Sequence, residues 1–429
     1  MMDENVSPEG RRALAVFPGG ISNGEYGLEP HDIVVMERGE GCRLWDAQGR
    51  EFLDFSMAWG SCLVGHAAPE VVTAVTAQAA KGSNFAYLNT HVLALAEEIK
   101  RISPAAERLR FCASGTEATM YGQRLARAVT GRPKILKFEG AYHGANEAGV
   151  TSLFPSGLRD FPEPELTSAG TPAMAEYLLV APYNDLDTTA RLIAENADDL
   201  AGVIIEPLQR CTSPKPGFLE GLRAACTEHG VVLIFDEVVT GFRLAYGGAQ
   251  QYYGVIPDIV CYGKALGGGY PIGAFGGKAE IMEMVAEGRI GGDDYVWMAS
   301  TLGGNPVSTA AANAALAILR KPGTYERLHG LGEYLRAGMR GVLAGRQITA
   351  QVIGDGPLAQ TVFSDQPVFD YRSTKRGDSG KGRRLMEGLF RRGVFLNPMG
   401  TKLYVSVAHD EAVCDAFLER YDDALAGVG

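Results

Sequence analysis

The sequence predicts an α/β protein of two packed domains, the larger one a mostly parallel sheet flanked by helices. Three observations predict it. At 429 residues the chain exceeds the size at which a single hydrophobic core stops growing. Short apolar runs alternate with amphipathic stretches through its middle, the rhythm of strand–helix–strand units. Several of those runs end in glycine, a carboxylate or a lysine, as strands do when a ligand crevice lies off their carboxyl ends.

In chain order, residues 1–60 read as an N-terminal segment with a hairpin, part of the smaller domain. Its strands are Val34–Glu37, Arg43–Asp46 and Glu51–Phe55, with a turn at Gly39–Gly41. Residues 61–310 read as the large domain, with strands at Arg108–Ala113, Lys134–Phe138, Gly202–Glu206, Val231–Asp236, Asp258–Tyr262 and Ile272–Gly276. A helix is predicted over Thr116–Val129, because Ala118, Tyr121, Leu125 and Val129 recur on one face and Gly131 follows as a stop signal. Residues 152–176, rich in Pro, Ser and Gly, read as a long surface loop of the kind that serves as a lid or interface element. A helix after Pro306 leads into a smaller α+β C-terminal domain, residues 311–429, with a helix at Lys381–Arg392 and a strand at Leu403–Val407.

Composition narrows the function classes. Hydrophobic residues at 46% against charged residues at 21% give a globular balance. Apolar runs such as Val231–Phe235 fall far short of the ~20 residues that cross a bilayer. The polar, acidic N-terminus lacks the pattern of a secretory signal, so a cytoplasmic location is expected. A net charge of −11 argues against nucleic acid, which needs basic patches. The seven cysteines form no CxxC pair and read as reduced thiols, and no histidine sits at metal-ligand spacing, so no metal is expected.

The chemistry collects where strands end. Arg108–Ala113 runs into Ser114, Gly115 and Thr116 at a helix start, and Lys134–Phe138 runs towards Tyr142 and His143. The next two strands end in Glu206 and Asp236, and the fifth in Gly263 and Lys264. An aromatic ring, two carboxylates, a lysine and a glycine-bearing helix start would therefore converge on one crevice. The helix start suits a single phosphate or is an ordinary capped end, and neither a dinucleotide fingerprint nor a P-loop is present. Asp236 closes the apolar run VVLIF, where a carboxylate is costly unless it meets a cation or is hydrogen-bonded. A protonated pyridine nitrogen would be such a cation. Lys264, beside Gly263 and Gly267–Gly269, has room for a ligand and suits imine chemistry; alone it would read as a surface charge.

The runs RFCASGTEATMYGQRLARAVTGRPKILKFEGAYHG, IIEP, LIFDEVVTGFR, GGAQQYYGVIPDIVCYGKALGGGYPIGAFGG and STLGGNP resemble the class III aminotransferases. Within that class the chain looks most like the glutamate-1-semialdehyde aminomutases and their transaminase relatives, over residues 30–320 and more loosely to the C-terminus. The resemblance implies a fold-type I, pyridoxal 5'-phosphate-dependent transferase, a homodimer whose active sites are shared between subunits. It implies that Lys264 holds the cofactor as a Schiff base, that Asp236 pairs with the pyridine nitrogen and that Tyr142 stacks on the ring. Ser114, Gly115 and Thr116 would hold the phosphate, with Glu206 placing the cofactor and Asp236, and Val238 beside it. Thr301 would reach the phosphate of the neighbouring subunit's cofactor. Trp59, in AWGSCLVGH, matches an aromatic of the substrate pocket, or fills the interface core. His143 falls in the Tyr-His-Gly motif, where its role is more structural than proton-transferring, and Arg243 reads as a structural or interface charge.

The substrate-facing positions depart from the aminomutase pattern. That enzyme carries an arginine after its Pro-Gly-Gly run; here Pro18–Tyr26 contains none. Ala145, Asn146 and Glu147 follow Tyr-His-Gly in place of His, Ala and Asp, and the Asn397–Tyr404 stretch lacks a glutamate. The sequence therefore predicts an intermolecular transaminase, with an amine, ω- or β-amino acid or amino sugar as donor and a 2-oxo acid or other carbonyl as acceptor. The alternative is the aminomutase itself. Lys402 is the candidate to replace the lost arginine, and Glu25 and Tyr26 are candidates to contact a cationic or polar substrate.

Overall fold

Runs of Val, Ile, Leu and Phe in the middle of the chain are too apolar on both faces to border water, and they form a sheet covered on both sides. The computed structural model describes residues 6–24, 29–396 and 402–428. These pack as two units: one holds Pro69–Tyr325 with Phe369–Arg372, the other the residues up to Ala68, Glu326–Val368 and those from Ser373 on. The helices Pro69–Ala79 and Pro306–Leu319 pack on each other inside the first unit.

The strands of the first unit are β1 (Arg108–Cys112), β2 (Lys134–Phe138), β3 (Leu178–Ala181), β4 (Leu200–Ile205), β5 (Val232–Asp236), β6 (Ile259–Tyr262) and β7 (Gly273–Gly277). They form one seven-stranded sheet in the order β1-β7-β6-β5-β4-β2-β3. Only β7 runs against its neighbours, β6 and β1; the rest pair in parallel or share that direction. Alternation along β5 sends Leu233 and Phe235 into one hydrophobic cluster and Val232 and Ile234 into another. The first cluster is closed by Leu192, Phe218 and Leu222, and the second by Tyr121 and Leu125 of helix α1 (Gly115–Thr130). Gly131, at φ 68, ends α1 as expected. The sequence missed β3, four buried residues directly after the 152–176 stretch. That stretch is irregular but tied down: Ser152 N donates to Glu165 O at 2.8 Å, and Arg372 stacks on Phe161 at 4.1 Å.

In the second unit, Met36–Glu40 and Arg43–Asp46 form the hairpin, and Gly39 pairs with Leu44. The turn is therefore Gly41–Cys42 rather than Gly39–Gly41, since Gly41 (φ 58) supplies the left-handed conformation. Glu51–Asp54 and Val394–Phe395 complete that sheet. Gln351–Ile353, Leu358–Val362 and Lys402–Tyr404 make a second, antiparallel one, in which the last strand stops at Tyr404, short of Val407. The helix Ser379–Arg391 lies within two residues of its expected bounds. Among the described residues no helix is long and apolar enough to cross a membrane, and no group of side chains is arranged to hold a metal. All seven cysteines are free and buried.

Candidate active site

The start of α1 is built by a reciprocal cap. Ser114 Oγ accepts from Glu117 N at 3.2 Å, and the Glu117 carboxylate accepts from Ala113 N at 2.9 Å and Ser114 Oγ at 3.1 Å. Ser300 Oγ, one residue before Thr301, donates to the same carboxylate at 3.1 Å. The cap leaves the N–H groups of Gly115 and Thr116 without an acceptor among the described residues, at the positive end of a helix of 16 residues. Gly115 is required by close approach: a Cβ there would lie 2.8 Å from both methyl carbons of Val238. Gly263 is held almost as tightly, its own Cβ position 3.3 Å from Gly115 Cα. The ends of β5 and β6 and the start of α1 thus meet at one point.

At that point sits Asp236, buried at 5% exposure. Its Oδ1 accepts from Val238 N at 3.1 Å, and its Oδ2 lies 2.8 Å from His143 Nδ1. His143 is fixed from behind: Thr119 Oγ1 donates to its carbonyl at 2.6 Å. The neighbouring Tyr142 keeps 41% of its surface exposed, while its N–H donates to Glu206 Oε1 at 2.9 Å. Lys264 follows Gly263 with φ 42, a left-handed conformation that a residue with a β-carbon adopts only when its surroundings impose it.

The structure thus gathers Ser114, Gly115, Thr116, Tyr142, His143, Glu206, Asp236, Val238 and Lys264 in one unit, on neighbouring strand ends and the turns that follow them. Thr301 is exposed and its carbonyl accepts from Asn84 Nδ2 at 3.0 Å. Trp59 and Lys402 belong to the other unit. Trp59 is half-buried on a turn in which Met57, Ala58 and Trp59 take φ 47, 51 and 58. Asp54 holds that turn, accepting from Ser56 N and Met57 N at 2.8 Å and pairing with His66 at 2.6 Å. Lys402 lies over the Tyr404 ring at 4.9 Å. Arg243 is fully buried, its Nε donating to Val239 O at 3.0 Å, so it is an interior structural charge rather than an interface one. Glu25, Tyr26 and residues 397–401 lie outside the described residues.

Sequence reasoning missed Lys137. It is 1% exposed, and its Nζ donates to the carbonyls of Ala148, Gly149 and Thr151 at 3.2, 3.0 and 2.6 Å. These bonds anchor the segment that follows His143, and burial pushes the amine down to about 7. The signal was a lysine inside the apolar run KILKF. Glu117 was legible too, standing three residues after the capping serine. Glu139, paired with Arg372 through two bonds of 2.9 and 3.0 Å, was not, because its partner is remote in sequence.

A fold-type I sheet, an anion slot at a helix start, a buried carboxylate and a lysine at adjacent strand ends define a pyridoxal 5'-phosphate enzyme of the aminotransferase kind. The residues fit that cofactor. Unpaired N–H groups suit its phosphate, and the buried Asp236 suits a cationic ring nitrogen. The chain belongs to the class III aminotransferases: the family model described as aminotransferase class-III matches residues 27–425. It is 39% identical over 428 residues to a glutamate-1-semialdehyde 2,1-aminomutase of Desulfitobacterium hafniense, covering 97% of each chain. Among solved structures it resembles an omega-transaminase from Sphaerobacter thermophilus, with a TM-score of 0.92, 36% identity and coverage of 98% and 97%. It also resembles a beta-phenylalanine aminotransferase from Variovorax paradoxus, with a TM-score of 0.85, 30% identity and coverage of 97% and 92%. The protein is therefore an enzyme that uses pyridoxal 5'-phosphate.

Proposed function

We propose that this enzyme is an intermolecular transaminase, moving an amino group from an amine, an ω- or β-amino acid or an amino sugar to a 2-oxo acid or other carbonyl. The observation that carries this reading is the Pro18–Tyr26 run, which lacks the arginine that the aminomutase pattern uses for its substrate carboxylate. The structural likeness to an omega-transaminase and a beta-phenylalanine aminotransferase supports it. The curated relatives at 39% identity favour the aminomutase as the second reading.

When bound, pyridoxal 5'-phosphate supplies an electrophilic carbon for amine exchange and a ring that takes up electron density. Toward it, the Gly115 and Thr116 N–H groups and the Ser114–Thr116 turn bind the phosphate. Asp236 Oδ1 or Oδ2 holds a proton on the ring nitrogen, oriented by His143 Nδ1 and Val238 N. Tyr142 covers one ring face, and Glu206 fixes Tyr142 through its backbone. Lys264 Nζ would hold the cofactor's electrophilic carbon and would serve as the general base and acid that moves the substrate proton. Trp59 and Lys402 are the remaining candidates for substrate contact.

The working form is a homodimer with shared sites, in the cytoplasm. Supporting it, Tyr87, Leu88, Trp297 and Leu302 are 82, 66, 68 and 52% exposed, large apolar side chains that a second subunit would cover. Asn84 Nδ2 and Asn89 Nδ2 donate to the carbonyls of Thr301 and Gly304, placing Thr301 beside that surface. An amine-donor panel with pyruvate and 2-oxoglutarate, read by cofactor absorbance and ketone formation, tests the activity. Ketone from a donor–acceptor pair is expected. Conversion of glutamate-1-semialdehyde alone, with no ketone from any pair, would establish the aminomutase instead.

A further inference from the structure

We propose that Arg210 recognises the substrate carboxylate, which makes the donors and acceptors of this enzyme amino and oxo acids rather than simple amines. The inference rests on the transaminase reading above and narrows its substrate class.

Arg210 follows the Glu206-Pro207 pair at the end of β4. It holds φ 59, a backbone conformation suited to glycine, yet it carries the longest cationic side chain. Its guanidinium is fixed on two sides. Nε and Nη2 both donate to Gly140 O, at 3.1 and 2.9 Å, and the group stacks on Phe154 with 4.7 Å to the ring centroid. Its backbone N–H reaches Glu206 Oε2 at 3.4 Å, while Oε1 of the same carboxylate accepts from Tyr142 N. Arg210 and the aromatic of the cofactor site are thus tied to one carboxylate.

The charge itself has no acidic partner. No carboxylate lies within 4.0 Å of the Arg210 guanidinium among the described residues, whereas Arg372 nearby is neutralised by Glu139. Nη1 makes no bond there, and the side chain is only half-buried. Arg210 spends one edge on a single carbonyl and keeps the other, preorganised by stacking, for a planar anion. This supplies the cation that the Pro18–Tyr26 run lacks.

The test uses the holoenzyme, the variant Arg210→Gly and two matched donors, 3-aminobutanoate and sec-butylamine, which differ in a carboxylate against a methyl group. Glycine accepts φ 59 without strain, so folding is retained, and the melting temperature checks it. In single half-turnovers the variant is expected to lose about 10- to 100-fold in kcat/KM for 3-aminobutanoate, mainly through KM, and under about 3-fold for sec-butylamine. An equal loss on both donors overturns the proposal. Calorimetric titration with butanoate, which cannot react, gives an arm independent of amine transfer: weaker binding to the variant is expected, and wild-type affinity in it overturns the assignment. If neither donor reacts with the wild type, the transaminase reading is decided by the wider donor panel while the butanoate arm still decides the role of Arg210.

Discussion

Lys264 at φ 42 carries a conformational cost of roughly 1–2 kcal/mol for a residue with a β-carbon. Gly263 on one side and Gly268 and Gly269 (φ 57 and 99) on the other let the chain make that bend. Replacing Lys264 with Ala is expected to remove the absorbance of the lysine-bound cofactor and to lower amine transfer by at least about 10³-fold; near-native turnover would remove Lys264 from its role. Asp236 is held at a fixed angle by His143 and Val238, so Asp236→Asn keeps the shape and loses the charge. An approximately 10²- to 10³-fold fall in kcat is expected, with bound cofactor still measurable by absorbance. A rate unchanged within a few-fold would show that the carboxylate does not hold the ring proton.

Two short elements carry more than their length implies. The cap at the start of α1 occupies Ser114 and Glu117 with each other and so leaves Gly115 and Thr116 to face an anion. Ser114→Ala is expected to cost about 1 kcal/mol of stability and to weaken cofactor binding, read by thermal melting and by cofactor titration. In the other unit, Asp54 and His66 hold the left-handed turn that presents Trp59. Burial alone would lower the His66 value, but its hydrogen bonds to Asp54 and Cys62 outweigh that and raise it from 6.5 to about 10. A histidine raised on folding stabilises fully below its unfolded value and loses that contribution as pH rises through the folded one. Melting temperatures of the wild type should therefore fall between about pH 6.5 and 10 more steeply than those of His66→Gln. Parallel curves for the two proteins would rule the pair out as the cause. At pH 6 the substitution is expected to cost about 3 kcal/mol, as breaking a buried pair does.

At the scale of the whole molecule, the exposed apolar residues around Tyr87 and Trp297 bear on assembly. Sedimentation is expected to give twice the mass of one chain, and the double substitution Tyr87→Asp and Leu88→Asp to shift it towards the monomer with loss of activity. A wild type that sediments as a monomer with full activity would contradict shared sites. At this scale the sequence was most legible in the sheet. Six of its seven strands were placed, most readily the central ones, Leu200–Ile205, Val232–Asp236 and Ile259–Tyr262, which are buried along their whole length and therefore read as apolar runs. The strand Leu178–Ala181 escaped because four residues after a long irregular stretch carry no periodicity.

By itself the sequence determined the fold class and, through its resemblance to the class III aminotransferases, the cofactor. Lys264, Asp236, Tyr142 and the Ser114–Thr116 turn each stand at a strand end or helix start, and such positions are fixed by local pattern: an apolar run, then glycine or a polar residue. Only the tertiary structure decided what those groups rest on. The buried Lys137, the Asp236–His143 pair, the Glu139–Arg372 pair and the anchoring of Arg210 on Gly140 depend on contacts between residues far apart in the chain. A hydrogen bond or an unpaired charge is set by distance in space, and one-dimensional spacing does not encode that distance until the strands are laid side by side.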